Sequence, residues 1–271
     1  MPFVIAAEAA MILVGLTGGI GQGKTTVSRM LRGLAGGGPE GDLETSYVIA
    51  KVLNAWLETW PAHLKLEPGQ DVVDLANALI TSLPAAVQQS LGELVKPEQL
   101  QIERSVESQQ FNHQLIDYLQ ERLAAASAQT FPTPITPATK SFHRKLFMWL
   151  GACLVVKVDS NIWGNAHDRR IKQLAATGQK FVTVGGIRSK YEVEMIHRNG
   201  GVVVRVVRPD AQTNSDLTER FMLEVTPDTK LVNNGSFEEL EAVVGRLYRD
   251  LAAGRLQSGS LNQHNYYAKQ S

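Results

Sequence analysis

The residues best suited to chemistry lie near the start of the chain. Gly18, Gly19, Ile20, Gly21, Gln22, Gly23, Lys24 and Thr25 fall in the spacing G-x-x-x-x-G-K-[ST], with Thr26 next. Glycines so placed let the backbone curl until successive N–H groups point inward, which forms a cradle for phosphate oxygens. A helix that begins where the loop ends adds its positive N-terminal dipole to the same spot. The lysine of such a loop reaches the β- and γ-phosphates, and the threonine hydroxyl can ligate Mg²⁺. Lys24 and Thr25 occupy those two places, so ATP and Mg²⁺ are the expected ligands of Gly18–Thr26. The motif alone does not choose among kinases, ATPases and switch proteins.

Such a loop needs a strand before it and a helix after it. Met11–Leu16 is a short apolar run that reads as the strand, and Thr25–Leu34 reads as the helix. Further strand-like runs are Phe181–Val184, Val202–Val207 and Lys230–Val232, with Ser46–Ile49 a weaker candidate. Their nearly continuous apolar character is that of parallel strands buried on both faces. Ser189 with Glu192, and Ser236 with Glu239, have capping-box spacing, and Leu240, Val243, Leu247 and Leu251 continue the second helix. Strands alternating with helices imply a three-layer α/β domain. A metal-handling acid is normally sought at the end of a neighbouring strand, yet Val182-Thr-Val184 runs into Gly185-Gly186 without a carboxylate. Either Thr25, phosphates and water hold the metal, or an acid arrives from elsewhere.

Between Asp71 and Ala126 the pattern is helical only. Leu75, Leu79 and Leu83 share one face until Pro84 breaks it, and Val106, Phe111, Leu115, Leu119 and Leu123 mark another helix. Thr130–Pro137 holds three prolines and reads as a loop. The expected organisation is therefore 1–52 for the start of the core domain, 53–151 for a helical substrate-binding insertion, 152–255 for the rest of the core, and 256–271 for a flexible tail.

Composition narrows the classes further. Among 271 residues, 27 basic and 27 acidic side chains cancel, so neither nucleic acid nor a membrane is an expected partner. The single cysteine, Cys153, excludes an intrachain disulfide, and the six histidines lack zinc-ligand spacing. A reducing, cytoplasmic setting fits. The apolar run Phe3–Leu16 lacks a basic leader and contains Glu8, so it reads as a strand with a short extension rather than a signal peptide. No apolar run reaches the ~20 residues that span a bilayer.

The loop context Val14-Gly-Leu-Thr-Gly-Gly-Ile-Gly-Gln-Gly-Lys-Thr-Thr resembles that of the dephospho-coenzyme A kinases. Further along come Arg144-Lys-Leu-Phe-Met-Trp-Leu-Gly151, Asp159 with Trp163, Gly186-Ile-Arg188 with Glu192, Gly200–Pro209, Thr218-Glu219 and Asn233–Leu240. In that order they resemble the bacteriophage deoxynucleoside monophosphate kinases of the T-even type. The resemblance covers the loop and about Arg144 to Leu247. It implies a three-layer P-loop kinase fold with a parallel five-stranded sheet and a large helical insertion. The activity it implies is transfer of the ATP γ-phosphate to a nucleoside monophosphate substrate, with dGMP, dTMP or a modified base as candidates, during phage dNTP synthesis. A homodimer fits such a family, but nothing in the sequence requires one.

The same resemblance suggests residue roles. Arg144 would grip the acceptor phosphate, Arg188 would offset charge on the transferring group, and Arg220 would close from a lid near 208–225. Asn233, Asn234 and Gly235 would pack beside the adenine, while Trp149, Asp159, Trp163 and Glu192 complete the substrate-binding set. The family's glutamine is Met148 here, and the aspartate of its Asp-x-Arg turn is Gly186. Plainer readings stand beside several of these. Glu192 is explained by its capping box, Asp159 by an N-cap of a Ser160–Ala176 helix, and Arg144 by a solvated helix face. Trp149 and Trp163 are of a type more often found in cores than on ligands. Two other functions stay open: a kinase for another small acceptor such as dephospho-coenzyme A, and an ATP-binding regulator that transfers nothing.

Overall fold

The computed structural model describes residues 11–95, 109–125, 133–136, 138–211, 225–259 and 265–267. Two compact units result, one formed by Met1–Thr45 with His167–Ser271, the other by Ser46–Ala166. Along the chain the strands are β1 (Ile12–Thr17), β2 (Asp42–Glu44), β3 (Phe181–Gly185), β4 (Val202–Val207) and β5 (Thr229–Val232). The α-helices among the described residues are α1 (Lys24–Leu34), α2 (Thr45–Leu57), α3 (Val72–Ile80), α4 (Leu83–Leu91), α5 (Gln109–Ala125), α6 (Arg144–Lys157), α7 (Ile162–Ala176), α8 (Lys190–Arg198) and α9 (Phe237–Ala252).

All five strands join one parallel sheet in the order β2-β3-β1-β4-β5, as an α/β P-loop kinase fold requires. The central strand β1 pairs on both sides, with Val14 opposite Thr183 of β3 and Val202 of β4. Successive side chains of a strand point to opposite faces, and each face needs a cover. Val14 and Leu16 pack with Val27 and Leu31 of α1 and with Val243, Val244 and Leu247 of α9. Leu13 packs the other way, with Ile171 and Leu174 of α7 and Met195 and Ile196 of α8. Helix, sheet and helix make the three layers.

The weak strand candidate Ser46–Ile49 is corrected by the structure, which places those residues in α2 and the strand at Asp42–Glu44. The reason is periodicity over a longer window. Ile49, Val52, Leu53, Trp56 and Leu57 are buried at helical spacing, so the apolar residues from Val48 onward belong to a helix face. β2 itself carries one apolar residue, Leu43, between two carboxylates, and as an edge strand it has no strong hydrophobic signature.

In the helical unit, Trp56 is fully buried, and its indole N–H donates to Leu79 O (3.0 Å) and Ser82 Oγ (3.1 Å). Its ring meets Trp60 edge-on at 4.9 Å between centroids and stacks on Trp149 at 5.2 Å. The Leu75–Leu79–Leu83 face is broken before Leu83 rather than at Pro84, since α3 ends at Ile80 and Leu83 opens α4. Pro84 stands in the first turn of α4, where its missing N–H breaks no helical bond. Asn54 holds the proline-rich stretch, accepting from Ile135 N (2.8 Å) and donating to Ile135 O (3.0 Å). Val106 lies outside the described residues.

Among the described residues of the tail, Gly259 N donates to Asp228 Oδ1 at 2.7 Å, and a second contact lies beside β5. Tyr266 pairs with Leu231 beside β5 and is buried, while its hydroxyl donates to Asp250. Among the described residues no single helix is long and apolar enough to cross a membrane.

Candidate functional site

β1 ends at Thr17, and Gly18–Gly23 carries the chain into α1, so the loop lies at the carboxyl edge of the central strand. The backbone leaves no alternative to glycine at Gly18. Its φ is +132°, and a Cβ there would stand 2.3 Å from Val206 O. Lys24 Nζ donates to Gly18 O (2.6 Å) and Gly19 O (2.7 Å), which holds the ammonium within the loop it serves. The side chain of Thr25 is exposed, and its hydroxyl donates to Glu44 Oε1 at 3.3 Å.

Three further loops at the same edge are stitched to this one or to the end of β1. After β3, Gly186 N and Ile187 N donate to Leu16 O (3.0 and 3.1 Å), and Thr17 Oγ1 donates to Ile187 O (2.8 Å). After β4, Arg208 N donates to the side-chain oxygen of Gln22. After β5, Asn233 Nδ2 donates to Gln22 O (3.1 Å), while its backbone N donates to Val207 O (2.7 Å). Ligand sites of open parallel sheets gather at this edge. The geometry suits a polyanion, with a helix N-terminus, an ammonium group and an arginine within one loop cluster.

That arginine is Arg188, which follows the β3 turn with an exposed side chain. Glu192 is placed differently. Its carboxylate is buried and accepts from Arg188 N (2.7 Å), Ser189 N (3.0 Å) and Ser189 Oγ (3.2 Å), and Ser189 returns the bond to complete the capping box. Burial pushes its carboxyl up, against the lowering effect of those donors and of the Arg188 charge. Asn234 and Gly235 are exposed next to Asn233. Arg220 and most of the lid segment lie outside the described residues.

The remaining expected residues belong to the helical unit. Arg144 opens α6 with an exposed side chain. Trp149 is a core residue, 1 % exposed, with its ring on Trp56 and its N–H donated to Asn112 Oδ1 at 2.9 Å. Trp163 is also buried, and its N–H donates to Gly151 O at 3.1 Å. Asp159 accepts from Asn161 N (2.9 Å) and Asn165 Nδ2 (2.8 Å), which fastens the start of α7. The structure thus brings the phosphate loop, Arg188 and Asn233 to one edge, and gives Glu192, Trp149, Trp163 and Asp159 architectural partners.

Glu44, which accepts from the Thr25 hydroxyl, is the neighbour of the loop that sequence reasoning did not name. It ends β2, and with the strand expected to start four residues later than it does, its carboxylate had no assigned place. Among the described residues no group of three or more His, Cys, Asp or Glu side chains converges.

A family model described as deoxynucleotide monophosphate kinase matches residues 87–244, more than half of the chain. The match begins beyond the Gly18–Thr25 loop, so loop and family are separate observations. No curated protein matches the chain.

Proposed function

The chain belongs to the deoxynucleotide monophosphate kinase family, and from that premise we propose that it transfers the γ-phosphate of ATP to a deoxynucleoside monophosphate, giving ADP and the diphosphate. The first candidate acceptors are dGMP, dTMP or a modified deoxynucleotide. The observation that carries the reading is the Gly18–Thr25 loop with the Lys24 ammonium 2.6 and 2.7 Å from two of its carbonyls. A triphosphate entering the loop offers those N–H donors full negative charge in place of neutral carbonyls, and charge-assisted bonds are the stronger ones.

Phosphoryl transfer asks a protein for positioning and positive charge rather than covalent chemistry. In this reading Lys24 binds the β- and γ-phosphates, Arg188 offsets charge on the moving group, and Arg144 holds the acceptor phosphate. Asn233 keeps the loop in shape through Gln22. The exposed Thr25 hydroxyl, a hard oxygen donor, suits Mg²⁺, which when bound neutralises charge on the β- and γ-oxygens. Trp149, Trp163 and Glu192 are left to the architecture.

The test is a coupled ADP-release assay with every dNMP and NMP, dephospho-coenzyme A included, on wild type and Lys24→Ala. One or a few deoxynucleotides are expected to support turnover. Lys24→Ala should lose about a hundred- to a thousandfold, the scale of removing one preorganised transition-state donor. A mutant with wild-type rates would sink the site assignment. ADP release with dephospho-coenzyme A alone would move the acceptor, and ATP binding without turnover on any acceptor would favour a regulator.

A further inference from the structure

The end of β3, where an acid is normally sought, reads Gly185-Gly186. The neighbouring strand supplies what is missing. In the parallel register Glu44 of β2 stands opposite Gly185, and a Cβ on Gly185 would lie 2.9 Å from Glu44 Cγ. The absent side chain is what gives the Glu44 carboxylate its room across the strand end. There Glu44 Oε1 accepts from the Thr25 hydroxyl at 3.3 Å.

This placement is built by two rows of side chains. Asp42 and Glu44 project from the same face of β2. Thr25, Ser28 and Arg32 lie along one stripe of α1, at spacings of three and four. Asp42 is consumed by the far end of that stripe: Ser28 Oγ donates to it at 2.8 Å and Arg32 pairs with it at 2.8 Å. Glu44 meets the near end, at the first turn of α1 and beside the phosphate loop. A carboxylate there repels a triphosphate, because like charges a few ångströms apart oppose binding even near a surface. A divalent cation between them reverses the sign, and a carboxylate with a hydroxyl is the hard-oxygen donor set that Mg²⁺ takes.

We propose that Glu44 is the metal-handling carboxylate of this kinase: with Thr25 it holds the divalent cation that accompanies the nucleoside triphosphate, from β2 rather than from the end of β3. The inference rests on the reading of Gly18–Thr25 as the triphosphate site.

Calorimetric titration of the full chain with a non-hydrolysable ATP analogue, in EDTA and in saturating Mg²⁺, tests it without turnover. In wild type Mg²⁺ should strengthen analogue binding. In Glu44→Gln that strengthening should fall about ten- to a hundredfold, the scale on which metal sites respond to a lost oxygen partner. In EDTA, Glu44→Gln should bind the analogue at least as well as wild type, since a repelling charge is gone. Gly185→Ala, whose methyl group would press on Glu44 Cγ, should shift the Mg²⁺ effect in the same direction and serves if Glu44→Gln does not fold. An unchanged Mg²⁺ effect in the variants, or none in wild type, overturns the assignment of Glu44. No analogue binding by wild type under either condition overturns the triphosphate site itself, which separates the two failures.

Discussion

Asn233 offers a direct test of how the phosphate loop keeps its shape. Its amide donates to Gln22 O at 3.1 Å, and its backbone N is fixed to Val207 O at 2.7 Å, so the side chain reaches the loop from an anchored base. The approach is close: a Cβ on Gly23 would stand 2.6 Å from Asn233 Nδ2. Truncation to alanine removes one neutral hydrogen bond at a partly buried site, which is worth about 0.5–1.5 kcal/mol. If that cost falls on the ligand-binding shape of the loop, ATP affinity drops roughly two- to twelvefold, since about 1.4 kcal/mol is a factor of ten. Asn233→Asp should be worse, because a carboxylate oxygen would replace the donor, face the Gln22 carbonyl and add negative charge beside a polyanion. Calorimetry with a non-hydrolysable ATP analogue measures both variants, and thermal melts show whether the fold survives. Should both bind the analogue within twofold of wild type, the loop does not need this clamp and the reasoning is wrong.

Two other predictions concern the supporting architecture. His143 and His167 are buried in different units, and burial pulls both down to about 4, with Arg122 adding to the effect at His143. The unfolded chain, with histidines near 6.5, then binds more protons than the fold between pH 4 and 6.5, so stability is full above that window and falls as pH drops through it. From pH 7 to pH 5 the loss is about 2 kcal/mol per histidine. Urea titrations at the two pH values should show it, and a flat profile would refute the burial of both rings. Trp149→Phe keeps a ring on Trp56 but orphans Asn112 Oδ1, so stability should fall by about 1–3 kcal/mol. As a core change it should leave KM for the acceptor nucleotide untouched, and a selective rise in that KM would return Trp149 to the base-binding set.

Much of the fold was legible because each signal was local and redundant. The β1 strand, its glycine loop and α1 are adjacent in sequence, and both capping boxes, at Ser189 and Ser236, form as their spacing predicts. β2 was misplaced because an edge strand of three residues has almost no hydrophobic pattern, while α2 next to it has a strong one. Glu44 was lost with it. Its partner Thr25 is 19 residues away and its neighbour Gly185 far more distant, so only the strand register joins them. The tryptophans show the opposite limit. Indole rings at helical spacing suit a base or a core equally, and the hydrogen bonds from Trp149 to Asn112 and from Trp163 to Gly151 join residues that no spacing rule relates.

The position that most needed the three-dimensional context is Gly186. Read as a sequence, it is a catalytic aspartate gone missing. In the structure it has φ +80° and donates its N–H to Leu16 O, so it makes the turn that ties the end of β3 to the end of β1. A side chain there would be strained by roughly 1–2 kcal/mol in the left-handed region. Glycine makes the turn without that strain, and aspartate is among the few other residues that enter this region. With glycine in place, a carboxylate must come from another strand or be absent. Charge makes the same point. The protein is neutral overall, yet Asp42 is matched by Arg32, and Asp228 by His197 and the Val203 and Gly259 N–H groups. Lys24, Arg188 and the α1 N-terminus lie at the glycine loop, and Glu44 accepts from the Thr25 hydroxyl beside them. An acid in that company weakens anion binding unless a cation comes too, which is why its presence argues for metal-dependent transfer more strongly than the motif alone.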